Sequence, residues 1–153
     1  MLVNILLVSN TYIEANLRRV VVTRANKLCE YCLVHEDDAY WGCQIDHIIS
    51  EKHGGVTNEN NLAYACAYCN RHKGSDIGSI IIQTNEFVRF FNPRIDRWLD
   101  HFELNSSKIN PLTNIGEVTS YILRFNDFER LLERQELQII GRYLSPEALA
   151  LIE

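Results

Sequence analysis

The first third of the chain changes from a helical to a strand-like hydrophobic pattern. Apolar residues recur every three to four positions in residues 13–26, which predicts a helix, although the β-branched run 20–22 weakens that pattern. Residues 39–49 are rich in aromatic and β-branched side chains and predict a strand. Residues 51–61 contain two adjacent glycines and several asparagines, so they predict a loop.

A second short strand is predicted over residues 62–65. It leads directly into a predicted helix over residues 67–73, which Gly74 would end because glycine readily adopts the left-handed conformation that follows a helix. The central region of the chain is therefore expected to run strand, loop, strand, helix.

The pattern becomes mainly helical after residue 76. An aromatic-rich stretch interrupted by Pro93 comes first, and helices are then predicted at about residues 115–125 and 128–143. A last helix is predicted to begin at Ser145, with the serine as its N-cap and Pro146 at its first position.

Length and composition limit the classes of protein that these elements can form. The 153 residues are 46% hydrophobic, which is enough to bury the core of one compact domain without disulfides. The apolar stretch 1–8 is shorter than the ~20 residues of a membrane-spanning helix and lacks the features of a signal peptide. We therefore expect a cytoplasmic protein with no membrane association, whose cysteines stay reduced and available to metals.

Four of the five cysteines form two closely spaced pairs. Cys29 and Cys32 are separated by two residues, as are Cys66 and Cys69, and two such pairs typically hold one zinc ion with four thiolates. A site closed by four protein ligands has no open position, so this zinc is predicted to be structural. The alternative is four unligated core cysteines. Cys43 is left unpaired and is expected to pack beside the strands.

Polar candidates for catalysis lie inside the segment that the cysteine pairs enclose. Asp46 and His47 come near the end of the first predicted strand, Asn61 precedes the second, and Asn70 directly follows the last cysteine. Because successive strand residues face opposite ways, Asp46 and His47 can converge on one site only where the strand is twisted or bulged.

Together these motifs resemble the HNH endonucleases. The resemblance covers residues 24–76 and rests on Cys29-Glu-Tyr-Cys32, Cys43-Gln-Ile-Asp46-His47-Ile-Ile, Gly54-Gly55, Asn60-Asn61-Leu62, Cys66-Ala-Tyr-Cys69-Asn70 and Lys73-Gly74. The separations of 14 residues from His47 to Asn61 and of 9 from Asn61 to Asn70 also resemble the HNH domain of CRISPR effector nucleases. Asn70 stands where some members of the family have histidine.

The resemblance implies a fold and a set of roles. The fold would be an α+β arrangement, a ββα-metal (His-Me) finger with a four-cysteine zinc site, in which His47 is the general base and Asn61 holds the loop and the base. Asp46 and Asn70 would ligate a divalent ion, Mg²⁺ or Mn²⁺. General chemistry agrees, because an ordinary histidine has a pKa near ~6.5 and Mg²⁺ prefers oxygen ligands.

The same resemblance gives a domain organisation. Residues 1–153 are expected to form a single domain, in which the HNH core with its zinc site covers residues 13–76 and a mainly helical C-terminal extension covers residues 77–153.

The charge of the chain leaves two classes of function open. A formal net charge of −5 argues against a delocalised grip on DNA, so contact would depend on local groups, with Arg71 and Lys73 as candidates for phosphate contact. Both are equally consistent with ordinary exposed helix residues. The first class is a metal-dependent DNA endonuclease, with or without a protein partner or homodimer for targeting. The second is a zinc-stabilised nucleic-acid or protein binding module without catalysis.

Overall fold

The computed structural model describes residues 12–153, so the apolar stretch 1–8 lies outside the described residues. No helix in the described part of the chain is long and apolar enough to cross a membrane. The elements, in chain order, are α1 (Ala15–Arg24), β1 (Cys43–His47), β2 (Leu62–Cys66), α2 (Ala67–Lys73), β3 (Gly78–Ile81), β4 (Glu86–Arg89), α3 (Trp98–His101), β5 (Phe102–Asn105), β6 (Lys108–Pro111), α4 (Asn114–Ile122), α5 (Phe128–Ile139) and α6 (Pro146–Ile152).

The predicted strand, loop, strand and helix are confirmed as β1, β2 and α2. The strands pair antiparallel in an unbroken register that places Cys43 opposite Cys66 and His47 opposite Leu62. The first strand is shorter than predicted at both ends, because residues 39–42 form a turn that ends with Gly42 at a φ of 71° and the chain bends at residues 48–49. Helix α2 follows β2 without a break and ends at Lys73, with Gly74 directly after it at a φ of 54°, as predicted. The result is a ββα finger within an α+β fold.

Helix α1 forms despite the β-branched run that weakened its prediction. Val21 and Ala25 are fully buried and pack in a small cluster with Leu62 and Tyr64 of β2. Burial of these side chains outweighs the modest intrinsic penalty that β-branched residues carry in helices. Helix α1 thus covers one face of the β1–β2 hairpin.

The C-terminal extension contains two β-hairpins that the sequence pattern did not predict. Strands β3 and β4 pair with each other, as do β5 and β6, and every strand has only four residues. Such short strands leave little alternation to detect in a sequence. The helices that follow were predicted, and α6 begins as expected, with the Ser145 side chain accepting a hydrogen bond from the backbone N–H of Ala148.

One hydrophobic core joins the finger to the extension. It includes Leu28 and Val34 from the segment around the first cysteine pair, and Phe102 and Phe125 from the extension. Hydrogen bonds strengthen this junction, because Trp98 Nε1 donates to the Tyr31 carbonyl at 2.9 Å and the Tyr143 hydroxyl donates to the Cys32 carbonyl at 3.0 Å. The extension therefore fixes the backbone that carries Cys29 and Cys32.

Candidate metal centre and active site

The four paired cysteines meet in a buried cluster. Their Sγ atoms all lie within 4.8 Å of one another, and the Sγ atoms of Cys32 and Cys66 are 3.7 Å apart. A tetrahedral zinc ion with Zn–S bonds of ~2.3 Å would separate its sulfurs by about 3.8 Å. The cysteines are positioned to hold a metal ion, and their number, chemistry and spacing fit structural zinc.

Backbone groups shape each cysteine pair. The N–H of Cys32 points at the Sγ of Cys29 at 3.5 Å, and the N–H of Cys69 points at the Sγ of Cys66 at 3.4 Å. Burial raises the pKa of the Cys29 and Cys69 thiols, whereas hydrogen bonds from Cys29 and the neighbouring thiols lower the pKa of Cys32. A bound ion requires all four thiolates, so metal binding releases protons from the cluster.

A buried arginine from the extension lies against the cluster. Arg130, in α5, places Nη2 3.0 Å from the Sγ of Cys32, while its guanidinium stacks 4.5 Å from the centre of the Tyr68 ring and Nη1 contacts Glu133 at 2.6 Å. Four thiolates around a divalent ion leave a net negative charge, which this cation offsets. Sequence reasoning missed Arg130, because it is 98 residues from Cys32 and resembles any arginine of a surface helix.

His47 occupies the opposite end of the β1–β2 hairpin from the cysteine cluster. Its ring Nε2 lies 2.9 Å from the Thr57 hydroxyl, in the loop between the strands. Its backbone carbonyl accepts a hydrogen bond from Lys73 Nζ at 2.9 Å. The histidine is therefore fixed both at its ring and at its backbone, and Thr57 is a partner that the sequence did not suggest.

Asn61 ties the loop to the end of β1. Its side-chain oxygen accepts from the Ile49 N–H, and its Nδ2 donates to the carbonyls of Ile49 and Val56, all at 2.9 Å. Gly55 makes this close approach possible, since a Cβ at that position would lie 1.7 Å from the Ile49 carbonyl oxygen. The loop that carries Thr57 is thereby closed over the strand end.

Lys73 is not on the surface, contrary to the expectation that it contacts phosphate. Its side chain is 1% exposed, and Nζ lies 3.2 Å from each carboxylate oxygen of Asp46. The Tyr31 hydroxyl also donates to Asp46 at 2.9 Å, and burial followed by the Asp46 charge raises the pKa of Tyr31, so the phenol keeps its proton. A buried carboxylate needs such partners, which explains why Lys73 turns inward.

This pairing bears on the divalent ion expected at Asp46 and Asn70. Asp46 is 5% exposed and both its oxygens already contact a cation, while the Asn70 Nδ2 donates to Gln44 Oε1 at 2.8 Å. As these side chains stand they do not form a site open to Mg²⁺, and ligation of a divalent ion by the two residues stays a prediction.

The structure does not join the four candidate catalytic side chains to one another. In residues 12–153, the side-chain hydrogen bonds of Asp46, His47, Asn61 and Asn70 all go to other residues. The register of β1 is unbroken through His47, so Asp46 and His47 follow the ordinary alternation of a strand.

The other polar candidates have varied surroundings. Arg71 is exposed on α2, and phosphate contact by it stays a prediction. Two further arginines form ion pairs within the chain. Arg89, the last residue of β4, pairs with Asp96 at 2.7 Å, and Arg94 pairs with the buried Glu30. Cys43 lies outside the four-cysteine cluster and packs against both hydrophobic cores.

Comparison with known proteins gives one family. Residues 29–76, the segment from the first cysteine through α2, match the model of the HNH endonuclease family. This match contains all four cluster cysteines together with His47, Asn61 and Asn70. No curated protein and no solved structure matches the chain.

Proposed function

We propose that this protein, whose residues 29–76 match the HNH endonucleases, is an endonuclease that hydrolyses DNA phosphodiester bonds with His47 as the general base. The observation that carries the proposal is the position of His47 within the matched segment, at the end of β1, with its ring Nε2 held by Thr57. A binding module has no need for a histidine fixed in this way.

The chemistry assigned to His47 is removal of a proton from water. We assign the tautomer in which Nε2–H donates to the Thr57 hydroxyl, which leaves the Nδ1 lone pair free to accept the proton from water. General bases of this kind contribute about 10²- to 10⁴-fold to a rate. Loss of the imidazole should therefore reduce cleavage by at least about 100-fold.

Two sets of contacts would keep the base in position. Asn61 closes the loop that carries Thr57, and Lys73 holds the His47 carbonyl from the side of α2. The cysteine cluster, where we propose structural zinc, joins β2 and α2 to the segment before β1. Asn61, Lys73 and the cysteines are thus positioning residues, whereas His47 is the group that meets the substrate.

The HNH match also brings the expectation of a divalent ion, Mg²⁺ or Mn²⁺, at Asp46 and Asn70. Because Asp46 is paired with Lys73, the proposed proton transfer rests on His47 alone and the ion requirement is left to experiment. Arg71, exposed on α2, is the group that we propose contacts substrate phosphate.

The test is cleavage of supercoiled plasmid by the parent and by His47→Ala, each with Mg²⁺, with Mn²⁺ and with neither. The matched control is His53→Ala, because His53 is exposed in the loop that follows β1 and lies in the same HNH match. Metal analysis establishes that all three proteins carry zinc, and circular dichroism that they are folded. We expect cleavage by the parent and by His53→Ala, and cleavage at least about 100-fold slower by His47→Ala.

Each other outcome has a definite meaning. Equal cleavage by His47→Ala and the parent would exclude His47 as the base. Intact plasmid with every folded, zinc-bearing protein would favour the non-catalytic binding module, which a gel-shift measurement with the same DNA would then test. Cleavage without added divalent ion would remove the ion from the expected mechanism.

A further inference from the structure

An exposed apolar groove lies between the turn before β1 and helix α5. The groove has a volume of about 450 Å³, within the range of ~300–1,000 Å³ that is usual for binding clefts. Two aromatic side chains form one side of it: Tyr40 is 86% exposed and Trp41 is 78% exposed, and their rings contact edge to face at 4.7 Å between centres. Large aromatic side chains this exposed are typical of interaction surfaces.

The other side of the groove is the outer face of α5. Leu132 lines the groove. Phe128, 78% exposed, and Ile139, 84% exposed, extend the apolar surface along the same helix. Leu132 lies four residues after Phe128 and seven before Ile139, a spacing that places the three side chains on one face of the helix. In residues 12–153, nothing covers that face.

The rim of the groove is acidic. Asp38, Glu129, Glu133 and Glu136 all line it. Asp38 pairs with Arg142 and Glu133 with Arg130, but neither Glu129 nor Glu136 has an ion-pair partner in the described part of the chain. The single cation in the lining, Arg130, is buried against the cysteine cluster and pairs with Glu133, so it leaves Glu129 and Glu136 without a cation.

We propose that this groove docks a basic segment of a partner protein, one that carries arginine or lysine beside apolar side chains. The cations would meet Glu129 and Glu136 and stack on Trp41, and the apolar side chains would lie on Leu132 and along α5. The acidic rim argues against DNA as the occupant, because phosphate would be repelled.

The position of the groove suits a targeting role, which rests on the proposed function. Gly42 lines it and lies five residues before His47, roughly 16 Å along an extended strand at ~3.3 Å per residue. A partner bound there leaves the His47 end of the finger open. A basic partner would also supply the positive charge that a chain of net charge −5 lacks for approach to DNA.

The test measures binding of labelled peptides to the full chain by fluorescence anisotropy. The probe is a capped dodecapeptide of alternating arginine and leucine; a glutamate–leucine dodecapeptide and a labelled DNA duplex are the comparison ligands. Trp41 reports the location, because the chain has two tryptophans and the other, Trp98, is 4% exposed. We expect the arginine peptide to bind and to change the emission of Trp41.

Charge variants distinguish binding of the arginine peptide at this groove from a general attraction of the peptide to an acidic protein. The variant Glu129→Gln/Glu136→Gln should weaken binding of the arginine peptide by at least about fivefold. The matched control Glu86→Gln/Glu103→Gln removes the same charge from exposed sites outside the groove and should change the Kd by less than about twofold. Trp41→Ala should weaken binding about tenfold.

Three results would overturn the proposal. Equal weakening by the two double variants would show only a general charge effect. Binding of the DNA duplex with quenching of Trp41, and no binding of the arginine peptide, would make the groove a nucleic-acid surface. Self-association in sedimentation that Trp41→Ala abolishes would make a second copy of the chain the occupant. None of these results depends on whether the protein cleaves DNA.

Discussion

The two ends of the β1–β2 hairpin are built in different ways. At the cysteine end, residues from distant parts of the chain converge, including Arg130 and Tyr143 of the extension. At the His47 end, the contacts come from the adjoining loop and from α2, within about thirty residues of each other, through Thr57, Asn61 and Lys73. The cysteine end therefore depends on the whole fold, whereas the His47 end depends on the finger itself.

This difference should make the two ends respond differently to substitution. Disruption of the cysteine end should unfold the protein, since the four cluster cysteines, the finger and the extension share one core there. Disruption of the loop around His47 should leave the core intact and affect the position of the His47 ring, the proposed base.

Removal of one metal ligand should have the largest effect. Cys69→Ala leaves three thiolates in a buried cluster, and structural zinc contributes on the order of 10 kcal/mol to the folding of small zinc domains at neutral pH. We expect loss of bound zinc and of cooperative thermal unfolding, measured by metal analysis and circular dichroism. The fifth cysteine provides the control: Cys43→Ala should retain zinc. Full zinc retention by Cys69→Ala would contradict the four-thiolate site.

Loss of the buried Lys73 ammonium, at the His47 end of the hairpin, should have the second largest effect. Lys73→Met leaves the Asp46 carboxylate buried without its cation, which typically costs about 3–5 kcal/mol. Denaturant unfolding at neutral pH measures this cost. The double variant Asp46→Asn/Lys73→Met removes both charges and should recover part of the loss.

Arg71, two residues before Lys73 on α2, provides the control. Arg71→Met removes a charge of the same sign from the exposed face and should change the free energy of unfolding by less than about 0.5 kcal/mol. If Lys73→Met were equally mild and instead weakened DNA binding, the lysine would be a phosphate contact after all.

The counter-charge at the cysteine cluster should have an intermediate effect. Arg130→Gln removes the guanidinium beside Cys32, and loss of groups that contact metal ligands typically lowers metal affinity about 10- to 100-fold. Competition with a chromophoric chelator measures zinc affinity directly. Arg130→Lys keeps the charge and should lose less, and Arg124→Gln, at an exposed arginine before α5, should have no effect. Unchanged affinity in Arg130→Gln would mean that the arginine serves packing alone.

The comparison also explains what the sequence could and could not predict. Ligand spacing in the two cysteine pairs is local, so the cluster could be predicted from Cys29, Cys32, Cys66 and Cys69 alone, together with the strands and helix between them. Long-range partners leave no local pattern. Lys73 and Asp46 are 27 residues apart, and nothing in the run Asn70-Arg-His-Lys73 indicates which cation turns inward.

The extension was harder to predict than the finger for a related reason. Its helices show hydrophobic periodicity over nine to twelve residues in α4 and α5, which a sequence reveals. Its hairpins have strands of four residues and depend on burial in the shared core, which a sequence does not reveal. Arg134 shows the same limit, since this fully buried arginine donates to the carbonyls of Ser107 and Phe125.

The smallest expected effect is a pH-dependent contribution of Asp96 to stability. Asp96 lies two residues before Trp98, which contacts the cysteine end. Burial alone would raise the pKa of Asp96, but hydrogen bonds from Arg89 and from the Asn92 N–H outweigh it and lower the pKa below its ordinary value. A carboxyl group with a lowered pKa stabilises the fold at pH values above its unfolded pKa of ~3.9. That stabilisation disappears as the pH falls through the lower pKa of the folded state.

The variant Asp96→Asn isolates this contribution. At pH 6 it should lower the free energy of unfolding by about 1–2 kcal/mol relative to the parent, the usual contribution of charge-assisted hydrogen bonds. Below about pH 4 the difference should shrink, because the parent carboxyl becomes protonated as well. Denaturant unfolding measures the difference in the free energy of unfolding at each pH, with the exposed Glu103→Gln as control. A difference that stayed constant down to low pH would mean that Asp96 acts by shape and hydrogen bonding, independent of its charge.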